Sequence, residues 1–171
     1  QMCIRDSLQA LLDLVEAFET VPHRILVRCA LKIGYPIILL RLSIACYRLK
    51  CSVGVEGVCS RALRATRGIT AGAGFATVEL EVLLYDTVSH LHGAWSPSLG
   101  VKVYIDDITL TACGLPQRII HVMIQALDFI VAQLEDVLQM QVSGSKSKIL
   151  TGRPIAATVL QHLGTDKISV A

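Results

Sequence analysis

Along this chain the apolar and polar positions change rhythm several times, and each change marks an element. Residues 8–14 are mostly apolar with Asp13 near the end, which predicts a buried strand delivering Asp13 at its C-terminal end. A turn carrying Glu16, Phe18 and Glu19 leads to Pro22, which at a first helical position opens a helix to about Lys32. Ile25, Leu26, Cys29 and Ile33 form its apolar face, and Gly34 closes it. Pro36 opens a second helix whose apolar residues run from Ile37 to Tyr47. Val53, Val55 and Val58 around Glu56-Gly57 predict a hairpin. The glycine-rich run Arg67-Gly68-Ile69-Thr70-Ala71-Gly72-Ala73-Gly74 lets backbone approach a ligand closely and leads into a helix over about residues 75–91.

The alternation then becomes two-residue. Val101-Lys102-Val103 and Ile108-Thr109-Leu110-Thr111 flank Tyr104-Ile105-Asp106-Asp107. Two adjacent Asp are poor strand residues, so the pair reads as the tip of a β-hairpin. Over residues 118–140, Ile120, Met123, Leu127, Ile130, Leu134 and Val137 recur at steps of three and four, the core stripe of a long amphipathic helix. A Ser/Gly/Lys turn over residues 143–148 enters a strand at 148–150, and a last short strand is expected over 159–163. The order describes an α+β fold, an antiparallel sheet with helices packed on one face.

Composition narrows the picture. A length of 171 residues suffices for one domain with a real core. With 53% hydrophobic and 18% charged residues, much of the chain is buried or meets partners outside it. Mean hydropathy is +0.56, yet residues 37–49, the most apolar stretch, are interrupted by Arg41 and Arg48, so neither a transmembrane segment nor a membrane partner is expected. The start is not Met and has no signal-peptide core, so the chain reads as a fragment of a longer one. Residues 1–7 resemble translated adapter sequence and are set aside as a non-native or disordered leader, leaving 8–164 as the domain and 165–171 as a truncated tail. Cysteines at 3, 29, 46, 51, 59 and 113 show no Cys-x-x-Cys, which disfavours zinc and a disulfide framework. Reduced core thiols of an intracellular protein are expected, with cytoplasm and nucleus not distinguished. His90 and His92, two apart, would be solvated on different helix faces.

Charge matters through its distribution. Of 16 Lys and Arg, nine lie from Arg24 to Arg67, against one acid, Glu56. A basic block beside an acidic site suits a nucleic-acid polymer and its metal-bound reacting end. A solvated helix face explains Arg24, Arg28 and Lys32 about as well.

Two carboxylates held side by side cost free energy unless a cation sits on them, and Mg²⁺ is the natural partner for bare oxygen ligands. An acidic turn without function is the plain alternative. If the strand ending in Asp13 neighbours the Asp106-Asp107 hairpin, three carboxylates converge at one edge. Two ions bridged there could activate a 3′-hydroxyl and stabilise leaving pyrophosphate.

On these residues the chain resembles the palm of a reverse transcriptase, of the kind carried by non-LTR retrotransposons. Leu12-Asp13-Leu14-Val15-Glu16-Ala17-Phe18 is similar to the first palm motif, which implies that Asp13 binds metal and Phe18 rejects a ribose 2′-hydroxyl. Arg67-Gly68-Ile69-Thr70-Ala71-Gly72 resembles the second, implying template and nucleotide contact by Arg67, Gly68 and Gly72. Tyr104-Ile105-Asp106-Asp107 resembles the third, with Tyr104 at the nucleotide, Asp106 the direct metal ligand and Asp107 its support. Val142-Ser143-Gly144-Ser145-Lys146-Ser147 resembles the fourth, where Lys146 would act as general acid on pyrophosphate, and His162-Leu163-Gly164 resembles the start of the primer grip.

The resemblance implies an RNA-directed DNA polymerase using two Mg²⁺ (or Mn²⁺), deoxynucleoside triphosphates and a primer on an RNA or DNA template. It also implies that fingers and thumb lie outside this chain, so that the isolated piece is inactive or nearly so. The sequence departs from the family at Ala71, where Gln is frequent, and at Glu19, where Asp usually follows the aromatic residue. Two other readings stay open. One is an RNA-dependent RNA polymerase palm, though those often carry Gly before the Asp pair. The other is a decayed or co-opted palm that binds nucleic acid without catalysis, which Ala71 and the truncation favour.

Overall fold

The computed structural model describes residues 6–151 and 169–170. In chain order the elements are β1 (Asp6–Leu12), a one-turn α1 (Ala17–Thr20), α2 (His23–Ile33), α3 (Ile37–Tyr47), and four two-residue strands, β2 (Lys50–Cys51), β3 (Gly54–Val55), β4 (Val58–Cys59) and β5 (Leu63–Arg64). There follow α4 (Ala76–Trp95), β6 (Leu99–Tyr104), β7 (Asp107–Gly114), α5 (Pro116–Ala132), a π-helical turn (Gln133–Val137), β8 (Lys148–Thr151) and β9 (Ser169–Val170). The strand expected over 159–163 and the run His162-Leu163-Gly164 lie outside the described residues. β1 begins at Asp6, inside the leader set aside from the sequence.

Contacts gather the chain into two compact units, one of residues up to Val15 with those from Leu84 onward, the other Glu16–Leu83. The first carries a five-stranded sheet of order β6-β7-β1-β8-β9. Its pairings are antiparallel except β8 with β9, which is parallel, so the expected antiparallel sheet gains one parallel pair at its edge. The β1–β7 register sets Leu8 opposite Ala112, Ala10 opposite Leu110 and Leu12 opposite Ile108, and all six are buried. α5 packs on these two strands and buries Ile119, Met123, Ala126 and Ile130. Each fully buried Leu or Ile contributes roughly 1.5–3 kcal/mol. A one-residue slip of β1 would send its three buried residues to the other face, so burial itself holds the register.

The expected core stripe of the long helix breaks at its end. The π-helical turn inserts an extra residue, with the Leu138 N–H bonded to the Gln133 carbonyl at 3.0 Å. The stripe rotates accordingly: Leu134 and Leu138 are buried, and Val137, expected in the core, is 42% exposed.

In the second unit Pro22 precedes α2 as its N-cap and Gly34, at φ 77°, ends it with its N–H on the carbonyls of Ala30 and Leu31. Ile25, Leu26, Cys29 and Ala30 form the buried face, while Ile33 is largely outside it. The hairpin expected around Glu56-Gly57 is β3–β4, and β2 pairs with β5 beneath it in sequence. Glu79 is fully buried and accepts the Tyr47 hydroxyl at 2.8 Å. Burial, then that hydrogen bond and the Glu79 charge, push the Tyr47 hydroxyl far above the usual tyrosine range. Burial and the same carboxylate raise Tyr35 as well.

The cysteine expectation is corrected. Cys29 is a buried thiol, but Cys46, Cys51, Cys59 and Cys113 are exposed, because they stand at outward positions of α3 and of strands open on one side. His90 is exposed as expected, though its ring stacks on Phe129 with centroids 4.6 Å apart. Among the described residues no helix is long and apolar enough to cross a membrane.

Candidate active site

The two faces of the sheet in the first unit differ. Opposite the buried face, Gln9 pairs with Thr111 and Leu11 with Thr109, half-buried positions on the side away from α5. Asp13 follows Leu12, and Asp107 precedes Ile108, the partner of Leu12, so continuing the register by one residue sets Asp13 across from Asp107. Both fall on the open face by the two-residue period. Cross-strand neighbours in antiparallel pairs lie about 4.5–5.5 Å apart at Cα.

Tyr104 pairs with Asp107, which leaves Ile105 and Asp106 as a two-residue loop. Such loops need a positive φ at the first position, and Ile105 adopts φ 58°, costly for a β-branched residue. Asp106 is half-buried in that loop, Asp107 exposed, and Tyr104 69% exposed.

Lys146 joins this edge through a loop that runs along the end of β1. Leu14 bridges Val142, the Val15 N–H bonds to the Gln141 carbonyl at 2.9 Å, and the Ser143 N–H bonds to the Asp13 carbonyl at 2.8 Å. The Asp13 N–H in turn donates to Ser147 Oγ at 3.1 Å. Lys146 Nζ consequently stands 3.5 Å from Asp13 Oδ1, its side chain 70% exposed and that of Asp13 25% exposed. Ser147, fully buried, is a site residue to which the sequence reading assigned no role. Nothing in a Ser/Gly/Lys run distinguishes the serine that turns inward.

Asp13 Oδ1 is itself buried and accepts no hydrogen bond, its one charged neighbour among the described residues being the largely exposed Lys146 ammonium at 3.5 Å. A buried anionic oxygen so weakly compensated is a costly arrangement that a hard cation would relieve further. Among the described residues no three His, Cys, Asp or Glu side chains stand together as a ready metal cage. Mg²⁺ does not require one, because it commonly takes one or two carboxylates and completes its shell with water and phosphate oxygens. The oxygen-only donors at this edge fit that pattern.

Phe18, Arg67, Gly68 and Gly72 belong to the second unit, where backbone contacts tie the first three together. The Phe18 carbonyl accepts the Ile69 N–H at 2.8 Å, the Gly68 N–H reaches the Val21 carbonyl at 2.8 Å, and Pro22 bridges Arg67. His23, buried and unremarked in the sequence, brings Nε2 to within 2.6 Å of the Gly68 carbonyl, which makes Nε2 the protonated nitrogen. Gly68 has φ 91°, and a Cβ there would meet the Glu19 carbonyl oxygen at 3.0 Å, so only glycine fits without adjustment. Phe18 is half-buried, Arg67 is exposed, and Gly72, at φ 84°, has open space around it.

No curated protein matches the chain in sequence. A solved structure of apo telomerase from Candida tropicalis, truncated from its C-terminal domain, matches 86% of this chain and 31% of its own, with a TM-score of 0.63 at 12% identity. At that identity the likeness is one of fold, in keeping with a palm-like α+β sheet. The chain thus spans under a third of that structure's length. A family model described as "Reverse transcriptase (RNA-dependent DNA polymerase)" matches residues 5–167. That match runs through both units and nearly from end to end, and the chain accordingly belongs to the reverse transcriptase family.

Proposed function

We propose that the chain is the palm portion of a non-LTR retrotransposon reverse transcriptase, which extends a primer 3′-end with deoxynucleoside triphosphates on an RNA or DNA template. The observation that supports this reading is the β1–β7 register, whose last pair is Leu12 with Ile108, so that Asp13 and Asp107 are the next residues at the same end of the two strands. Asp13, Asp106 and Asp107 would hold divalent cations there. When bound, two Mg²⁺ or Mn²⁺ ions supply activation of the primer hydroxyl and stabilisation of the leaving pyrophosphate.

The remaining roles fall to side chains and backbone. Lys146 Nζ, beside Asp13, gives a proton to the pyrophosphate oxygen as it leaves. Phe18 excludes a ribose 2′-hydroxyl. Gly68 holds the 67–72 turn against the Glu19 carbonyl and Gly72 leaves it open space so that its backbone reaches the nucleotide, Arg67 adds a cation for phosphate, and exposed Tyr104 packs beside the reacting end. Because the match to the telomerase structure covers 31% of that chain, substrate grip by further segments is part of the proposal, and the 171-residue chain alone is expected to extend a primer feebly or not at all.

The test is calorimetric titration with Mn²⁺ of wild type, Asp13→Asn, Asp106→Asn and Asp107→Asn. Loss of one anionic ligand should weaken binding about ten-fold, equivalent to about 1.4 kcal/mol. Equal binding by wild type and Asp13→Asn removes the metal site and leaves a palm that binds nucleic acid without catalysis.

A further inference from the structure

α3 is apolar nearly all round, interrupted by Arg41, Ser43 and the hydroxyl of Tyr47, and such a helix is ordinarily enclosed. Here only Leu40, Ser43 and Tyr47 are buried, and Ile38 is 79% exposed. One side of this helix, together with α2 and the β2–β5 pair, forms a groove of about 880 Å³ within the second unit. Leu31, Ile37, Ile44 and Leu49 give it an aliphatic lining. Arg41, Arg48, Lys50 and Arg64 add four cations, and among the described residues no acidic and no aromatic side chain lines it.

We propose that this groove between α2 and α3 is a docking site for an acidic amphipathic helix of a protein partner. The length fits: from Ile37 to Arg48 α3 advances about 16 Å, three helical turns, enough to seat apolar anchors at i, i+4 and i+7. The cations then meet carboxylates on the flanks of the docked helix, which gives orientation and rapid association. Nucleic acid fits less well, because single strands bind by stacking bases on aromatic faces and the groove has none. A second copy fits less well too, because a two-fold pairing of this face would set its four cations against the same four.

The test uses the 171-residue chain and a fluorescein-labelled helical peptide with Leu at i, i+4 and i+7 and Glu on both flanks, read by anisotropy. The result expected is micromolar binding that weakens with added salt, is lost when the peptide's Glu are replaced by Lys, and drops about ten-fold in Arg41→Glu/Arg48→Glu. Both arginines are exposed, so the variant should keep the wild-type circular dichroism, and Leu49→Glu on the aliphatic lining supplies an independent loss. Three results overturn the proposal: no peptide binding, peptide displacement by a single-stranded oligonucleotide whose own affinity falls in the same variants, or a dimer in sedimentation that those variants dissociate.

Discussion

Alanine placed in turn at Gly68, Gly72 and Gly74 separates two effects that a glycine-rich turn ordinarily mixes. Gly68 and Gly72 both have left-handed backbone, φ 91° and 84°, but a Cβ at Gly68 meets the Glu19 carbonyl oxygen at 3.0 Å, whereas at Gly72 nothing lies within 4 Å. Gly74 has neither the positive φ nor a near neighbour. An L-residue in the left-handed region costs about 1–2 kcal/mol, partly offset by about 0.4–1 kcal/mol from a stiffer unfolded chain. Gly72→Ala should therefore destabilise by about 0–1.5 kcal/mol. Gly68→Ala adds the crowding of a fixed backbone, about 1 kcal/mol more. The peptide there cannot slide away, since its N–H is bonded to the Val21 carbonyl and its carbonyl to His23 Nε2. Gly74→Ala should be neutral or stabilising by up to about 1 kcal/mol. Thermal melts followed by circular dichroism give the ranking, at about 2–4 °C per kcal/mol for a chain of this size. A Gly72→Ala melt as low as that of Gly68→Ala would show that the approach of Glu19 has no energetic weight, and the account of this turn would fail.

Other expectations follow from single contacts. Lys146→Met removes a cation 3.5 Å from Asp13 Oδ1, and because Lys146 is 70% exposed the gain is small, about 0.2–1 kcal/mol or up to about five-fold tighter Mn²⁺ binding; weaker binding would contradict the pairing. Tyr47→Phe leaves buried Glu79 without its donor and should cost about 1–3 kcal/mol in urea denaturation, while Tyr47→Phe/Glu79→Met should cost less than the sum of the single changes. Because the folded Tyr47 hydroxyl is held above its unfolded value near 10, its contribution is complete below about pH 10 and lost as pH rises toward the folded value. Stability of the wild type should therefore fall faster above pH 10 than that of Tyr47→Phe, and parallel declines would refute this. Leu12→Ala, on the buried face of β1, should cost about 2–5 kcal/mol, against under about 0.5 kcal/mol for Thr109→Ala on the open face, with urea midpoints as the measure.

Local physics wrote much of this fold into the order of residues. Pro22 and Gly34 bound α2 because one cannot continue a helix backwards and the other reverses the chain at φ 77°. Period-two alternation on either side of Asp106-Asp107 announced the hairpin, since two charges cannot sit in a buried ladder. What alternation could not state is which strand lies beside which. The neighbouring of β1 with β7 and of the 141–147 loop with residues 13–15 is a choice among distant partners, made by burying Leu8, Ala10 and Leu12 against Ile108, Leu110 and Ala112. Those choices bring Asp13 and Asp107 to the same end of paired strands and set Lys146 and Ser147 beside Asp13. The π-helical turn that moves Leu138 in and Val137 out, and the exposure of α3 despite its apolar sequence, were likewise decided by packing, because a hydrophobic side chain records a tendency to be covered and leaves open what does the covering.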